Sequence, residues 1–170
     1  MTVADTGILI WLARYNKLNL LKDMYGQIDI PAKVFEEAVT AGQLYGYPDA
    51  EIIGSAVINE DFIVKNTGVS EKIDEMEKVF NCKLGSGERE AITLALKTGS
   101  LLLINDEEAS TIAEFPGVKT KGVLFVLLKS VKLGLLEKNE SLAIFQQMLE
   151  DGFWLAPNTA VEFEKILFEL

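Results

Sequence analysis

The sequence predicts an α/β protein with a three-layer α/β/α architecture, in which helices cover both faces of a mainly parallel sheet. Short apolar runs alternate with segments of helical periodicity, an order of elements that is typical of parallel sheets. Leu101 to Ile104 is a continuous apolar run, as expected for a central strand that is covered on both faces. We count about four to five strands, a common sheet size. The 170 residues suffice for one domain with a full core.

The first half of the chain alternates between short strands and helices. Val3-Ala4 is a short buried strand that Asp5 interrupts, and ILIWLARYN then has the spacing of a helix packed on a sheet. The elements that follow are a helix from Lys17 to Tyr25 ended by Gly26, a strand from Ile28 to Ile30, a helix that Pro31 opens and that stops near Gly42, a helix from Pro48 to about Val57, and a strand from Asp61 to Lys65.

The second half becomes mostly helical. Ser70 is expected to cap the helix EKIDEMEKVF, with Ile73, Met76, Val79 and Phe80 on one face. The later elements are a helix after Gly85-Ser86-Gly87 that ends at Gly99, the strand from Leu101 to Ile104, the helix EEASTIAEF, an edge strand from Val118 to Thr120, and three helices after Gly122. We expect residues 1–170 to form one domain, in which the helices from about residue 122 onward pack on the core.

Composition excludes several classes of site. Cys82 is the single cysteine, which rules out an intrachain disulfide and a thiolate zinc site. The chain has no histidine, so Ser-His-Asp and Cys-His catalysis are excluded together with imidazole ligands. The net charge of −10 argues against non-specific binding of nucleic acid through a basic face. It leaves a nuclease open, because bound cations would reverse the local charge.

The apolar N-terminal stretch is interpreted as a strand and a helix. It lacks a basic flank and has Asp5 ahead of it, which does not fit a signal peptide. No apolar run approaches the length of about 20 residues that spans a bilayer. The expected location is the cytoplasm.

Four acids, Asp5, Glu37, Glu88 and Asp106, each lie beside the end of a predicted strand or the start of a predicted helix. A parallel sheet places its functional crevice at the carboxyl ends of its strands, so these acids are expected to meet there. Carboxylates that converge repel one another unless a positive group lies between them. Mg²⁺ or Mn²⁺, which prefer oxygen ligands, are the simplest such groups. Metal-assisted phosphodiester cleavage is therefore the leading hypothesis.

Three of the acids also have a purely structural interpretation. Asp5 fits a helix N-cap, and Glu88 fits the favourable charge of a first helical turn. Glu37 is favoured over Glu36 because Val34 and Ala38 lie near its face, although a solvated pair of charges is an alternative.

Two neighbours of the acids are candidates for a supporting role. Thr6 could orient Asp5 or a metal-bound water, or serve as an ordinary cap. Asn105 could coordinate or cap, although alternation along the strand places it opposite Asp106.

The motifs VADTGILIWLA, IPAKVFEEAV, LGSGEREAITLALKTGSLLLINDEEA and KGVLFVLLKSVKLGLL resemble those of PIN-domain proteins, in particular the prokaryotic branch related to VapC-type toxins. The similarity spans nearly the whole chain. It implies a PIN-like fold, an Mg²⁺- or Mn²⁺-dependent ribonuclease, an RNA substrate and an antitoxin partner. The family's acidic positions fall on Asp5, Glu37, Glu88 and Asp106. Relatives often have an arginine after the last acid, where this chain has Ala109-Ser110.

The resulting hypothesis is that Asp5, Glu88 and Asp106 hold one or two ions, while Glu37 binds the second ion or a metal-bound water. One rival is a catalytically silent, metal-binding interaction protein. A second rival is a phosphate-transfer or phosphatase-like domain with Asp5 as nucleophile, for which Lys65 and Lys121 are the lysines nearest a core strand. A homodimer or higher homo-oligomer is expected, mainly from the resemblance.

Overall fold

The structure, a computed structural model, describes residues 1–170. Its sheet has five parallel strands in the order β3-β2-β1-β4-β5. The α/β class and the parallel sheet are therefore confirmed. The strands are short: β1 Thr2–Ala4, β2 Ile28–Pro31, β3 Phe62–Lys65, β4 Leu101–Leu103 and β5 Thr120–Lys121.

Helical segments fill most of the remaining chain. In order they are α1 Thr6–Arg14, α2 Asn19–Tyr25, α3 Ala32–Phe35, a π-helical segment Glu36–Ala41, α4 Gly42–Leu44, α5 Pro48–Ile58, α6 Glu71–Phe80, α7 Ser86–Thr98, α8 Glu107–Glu114, α9 Val123–Lys132, α10 Lys138–Glu150 and α11 Pro157–Glu169. We refer to Glu36–Ala41 below as the π segment.

The order of the strands determines which helices cover which face. From β1 the chain moves outward through β2 to β3, and it then returns past β1 to add β4 and β5 on the other side. Because parallel crossovers are right-handed, helices of the outward and return halves lie on opposite faces of the sheet. On the return side, α6, α7 and α8 share one core cluster with Val3 of β1 and Leu102 of β4. The two helical layers predicted for the sheet are thus present.

Two predicted boundaries differ where the chain leaves β2. Pro31 is the last residue of β2 and precedes the helix, whose first residue is Ala32. Gly42 does not stop that helix, since its backbone is helical (φ −59°) and the π segment continues directly into α4. Glycine lowers helix stability by only about 1 kcal/mol relative to alanine, which tertiary packing can offset. Gly42 also contacts Ala50 closely, since an added Cβ would lie 2.6 Å from that of Ala50.

The predicted buried face of α6 is only half correct. Ile73 and Met76 are buried, whereas Val79 is 77% exposed and Phe80 is 36% exposed. Phe80 instead forms an edge-to-face pair with Phe115, at 5.5 Å between ring centres. At about 100° per residue, Val79 lies roughly 120° around the helix from Ile73, which places it off the buried face. The edge strand was also placed slightly early, because β5 is Thr120–Lys121.

The three C-terminal helices form a compact unit of their own, residues 123–170. Its core includes Phe145 and Phe163, whose ring centres lie 4.3 Å apart. The other unit, residues 1–122, contains the whole sheet. That the C-terminal helices pack on the core of the sheet stays a prediction. None of the helices has the length and apolar character needed to cross a bilayer.

The two faces of α6 give a stability prediction. Replacing the fully buried side chain in Ile73→Ala should lower the free energy of unfolding by about 2–4 kcal/mol, because it leaves a cavity. Val79→Ala removes apolar atoms from an exposed position and should change the free energy of unfolding by less than about 0.5 kcal/mol. Urea unfolding of both variants measures the difference. Equal losses would show that the end of α6 is buried like its start.

Candidate active site at the carboxyl edge of the sheet

The candidate site lies where the strand order reverses, between β1 and β4. Asp5 directly follows β1, and its backbone N–H donates to the carbonyl oxygen of Leu103 at 3.0 Å, which extends the pairing of β1 with β4. Asn105 and Asp106 follow β4 on the same edge. In open parallel sheets this reversal point forms the ligand-binding crevice. The placement of Asp5 and Asp106 on one edge, predicted from the sequence, is confirmed by the topology.

Asp5 is the most buried acid of the four, with 6% of its surface exposed. It caps α1, since its Oδ2 accepts a hydrogen bond from the N–H of Gly7 at 3.2 Å. Its Oδ1 is buried and has no hydrogen-bond partner. Burial raises the pKa of Asp5 from 3.8 to about 7. The N–H groups of Gly7 and Thr6 oppose that rise, and the charges of Glu88 and Glu37 add to it.

Glu37 lies in the π segment and points into the protein. Its Oε1 accepts hydrogen bonds from the hydroxyl of Ser86 at 2.7 Å and from the N–H of Gly87 at 2.9 Å. Its Oε2 accepts one from the hydroxyl of Thr6 at 2.8 Å. Thr6 therefore orients Glu37, where the sequence suggested Asp5 or a water molecule. Glu36 is exposed and pairs with Lys33, so the choice of Glu37 as the inward-facing acid is correct.

Glu88 is half-buried in the first turn of α7. Its Oε2 accepts a hydrogen bond from the N–H of Gly85 at 2.7 Å. Because α7 leads into the amino end of β4, its own N-terminus lies at the carboxyl edge of the sheet. Burial raises the pKa of Glu88 above 4.5, and the charges of Asp106 and Glu37 raise it further, against the effect of Gly85. The acids thus lie close enough to influence one another.

Asp106 is exposed and caps α8, with Oδ1 accepting a hydrogen bond from the N–H of Ala109 at 2.8 Å. The neighbouring Asn105 side chain borders Gly7 and Gly122. A Cβ on Gly7 would lie 3.8 Å from its Nδ2, and a Cβ on Gly122 would lie 3.1 Å from its Oδ1. The same Cβ on Gly7 would lie 3.6 Å from Oδ2 of Asp5. Asn105 therefore belongs to the site beside Asp5.

The carboxylates share one edge, yet they do not form a ready-made metal site. No three acidic or thiol groups stand close enough together to hold an ion. Like charges repel, and every acid is directed instead to N–H or hydroxyl donors. The set still fits a hard divalent cation in donor chemistry. The strongest sign is Oδ1 of Asp5, a buried anionic oxygen without a partner, which is costly unless a cation or a proton satisfies it.

Sequence reasoning missed three groups around the site. Ser86 and Gly87 bind Glu37, although the Gly-Ser-Gly pattern indicated only a break before α7. The third group is Glu90, whose Oε2 accepts a hydrogen bond from the N–H of Lys33 at 3.0 Å, at the start of α3. No local signal identifies that bond, because its partners are distant in sequence.

Both arginines of the chain contact residues away from the position after the last acid, where the resemblance implies an arginine. Arg14 lies over the ring of Trp11, 4.9 Å from its centre. Arg89 follows Glu88 but pairs with Asp74 and Glu77 on α6. Ser110, which stands at the position where the resemblance implies an arginine, lies in α8 one turn after Asp106.

Comparison with known proteins identifies the family. A family model described as a PIN domain matches residues 1–168. The chain belongs to the PIN-domain family. Among solved structures, this PIN domain is similar to VapBC2 from Rickettsia felis, bound to a DNA fragment from their promoter. The likeness covers 71% of this chain and 97% of that chain, with 14% identity and a TM-score of 0.50, and at this identity it shows the fold. No curated protein matches the sequence.

The raised pKa of Asp5 predicts how stability depends on pH in EDTA. An acid whose pKa is higher in the folded than in the unfolded chain stabilises the fold while protonated. That stabilisation is fully present below pH 4 and is lost as the pH rises to about 7. Asn does not titrate, so Asp5→Asn escapes this loss. Its free energy of unfolding relative to the wild type should therefore be a few kcal/mol higher at pH 8 than at pH 4, at about 1.4 kcal/mol per pKa unit.

Urea unfolding from pH 4 to pH 8 measures this difference. Glu36→Gln, which removes one charge from an exposed neighbour of the site, controls for net charge and should follow the wild type. An Asp5→Asn difference that stays constant across this range would show that Asp5 titrates normally.

Proposed function

We propose that this PIN domain is a divalent-metal-dependent ribonuclease that hydrolyses phosphodiester bonds endonucleolytically. The observation that carries the proposal is the buried Oδ1 of Asp5, which has no donor and lies at the point where the strand order reverses. Family membership supports a nuclease. The absence of histidine supports chemistry that needs no imidazole base.

Asp5, Glu88 and Asp106 are the residues proposed to hold Mg²⁺ or Mn²⁺. Each has one oxygen that accepts a hydrogen bond at the start of a helix. The second oxygen has no donor and is available to a cation: Oδ1 of Asp5, Oε1 of Glu88 and Oδ2 of Asp106. The bound metal would supply a water of lowered pKa and neutralise charge on the phosphate. The caps hold the three carboxylates in place, and Glu37 serves the same site from the π segment.

The chain's own residues would handle the substrate as follows. The N-terminus of α8, which follows Asp106, presents backbone N–H groups that favour a phosphate. Asn105, beside Asp5, can hydrogen-bond to RNA or orient a carboxylate. Both arginines are engaged elsewhere, so phosphate binding relies on these neutral donors and on lysine. RNA is therefore expected to bind weakly without the metal.

The role as a toxin with an antitoxin partner is proposed from likeness. The fold of this chain is similar to that of VapBC2 from Rickettsia felis, whose structure is bound to a DNA fragment from their promoter. Residues 123–170 also expose large apolar side chains, among them Trp154 at 79% and Phe168 at 60%. A partner that covers them would bury surface that is unfavourable in water. A homo-oligomer, predicted from the resemblance, would meet the same need.

A silent metal-binding interaction protein is the second candidate, and one observation favours it. Ser110 stands at the position where the resemblance implies an arginine, and the two arginines of the chain contact other residues. The phosphate-transfer alternative is weaker, since Lys65 lies on β3, two strands from β1, and its Nζ lies 3.6 Å from Oδ1 of Asp29. RNA cleavage with Mn²⁺, compared with and without EDTA, separates the first two.

Asp5→Asn tests the proposed function directly. It keeps the size of the side chain and removes the charge that a cation needs. Mn²⁺-dependent RNA cleavage should therefore fall at least about a hundredfold, which corresponds to about 3 kcal/mol of lost transition-state stabilisation. Cleavage rates on a labelled RNA measure it, with circular dichroism as the check on folding. The matched control Glu36→Gln should keep the wild-type rate. Undiminished cleavage by Asp5→Asn would remove Asp5 from the mechanism.

A further inference from the structure

The hydrogen bonds of Glu37 set it apart from the other three acids. Asp5, Glu88 and Asp106 each keep one oxygen without a donor, whereas both oxygens of Glu37 are engaged. Its three donors come from two separate places, the hydroxyl of Thr6 at the start of α1 and the Ser86-Gly87 segment at the start of α7. Three hydrogen-bond donors to one carboxylate stabilise its negative charge without a cation.

Gly87 shows how closely the carboxylate and α7 approach each other. A Cβ at this position would lie 2.4 Å from Oε2 and 3.1 Å from Cδ of Glu37. Any side chain would therefore displace the carboxylate. Gly87 is buried, and its N–H is one of the donors at a helix N-terminus that have no partner within the helix, so it donates to Glu37 instead. The positive end of the α7 dipole adds to the attraction.

The π segment places Glu37 for this contact. A π turn widens the helix by one residue and changes the direction in which the following side chains point. Glu36 and Glu37 open this segment. Glu36 faces solvent and Lys33, while Glu37 reaches across to residues 49 and 50 positions later in the chain. Such turns occur often at functional sites.

We propose that Glu37 is a positioning residue, which holds the start of α7 against the start of α1 and thereby sets Glu88 relative to Asp5. It would not itself bind an ion. This role rests on the proposed function, since the residues it positions are the proposed metal ligands. The positions of the donors in the chain support this role, because Thr6 directly follows Asp5 and Gly87 directly precedes Glu88. The carboxylate thus joins the backbone neighbours of two of the three ligands.

The test compares Glu37→Gln with Glu37→Ala, using Glu36→Ala as the matched control. Glutamine keeps an oxygen for Ser86 and Gly87, and its amide group can donate to the hydroxyl of Thr6. It therefore preserves the connection while removing the charge that an ion would need. Alanine removes both. The control removes a carboxylate that bonds only to Lys33.

Two readouts are needed. In EDTA, the exchange rate of the Gly87 amide reports the connection itself: it should rise about tenfold in Glu37→Ala and stay within about threefold of wild type in Glu37→Gln. With Mn²⁺, affinity from the electron paramagnetic resonance signal of the free ion should weaken about 10- to 100-fold in Glu37→Ala. It should stay within about threefold of wild type in Glu37→Gln and Glu36→Ala.

Mn²⁺ affinity that falls as far in Glu37→Gln as in Glu37→Ala would overturn the proposal, because it would make Glu37 a ligand. Unchanged affinity in Glu37→Ala would overturn it as well. If Glu37→Ala does not fold, Ser86→Ala removes one donor and should weaken Mn²⁺ binding a few-fold; unchanged affinity there counts against positioning. A wild-type chain that neither binds Mn²⁺ nor cleaves RNA ends the proposed function, and amide exchange then decides alone whether Glu37 joins the helices.

Discussion

The pairing of β1 with β4 is the constraint on which the site depends. It reverses the direction in which strands are added, and it continues one residue past β1 through the bond from Asp5 to Leu103. That bond fixes Asp5, the most buried of the four acids, at the carboxyl edge. Burial is the main cause of the raised pKa values of Asp5 and Glu88, and the charges of neighbouring acids raise them further.

Backbone N–H groups at the starts of three helices offset the repulsion between the acids. Asp5, Glu88 and Asp106 each accept an N–H hydrogen bond at the beginning of α1, α7 or α8. The structural interpretation of Asp5 as a cap is therefore correct, and it does not compete with the functional one. A cap uses one carboxylate oxygen and leaves the second available. Capping also holds each side chain in place before any cation arrives, which lowers the cost of assembling a binding site.

Glu37 follows a different principle. Its two oxygens are occupied by Thr6, Ser86 and Gly87, and the close approach requires a glycine. An acid of the family's pattern can thus serve by holding helices together. The same chain commits its arginines to other contacts, with Arg89 joining α7 to α6. The result is an edge of the sheet rich in fixed anionic oxygen and poor in fixed positive charge, which suits a site completed by a metal ion.

The sequence by itself determined the strands and most helix boundaries and led to the proposal of the four acids, because apolar periodicity, glycine stops and capping residues act within a few neighbouring positions. It could not show that Phe80 pairs with Phe115 or that Glu90 binds the start of α3. It also gave no sign of the π segment or of the partners of Glu37. Those features depend on which surfaces meet when the helices pack on the sheet. Burial and hydrogen bonds between distant residues exist only after that packing, so the tertiary structure decided them.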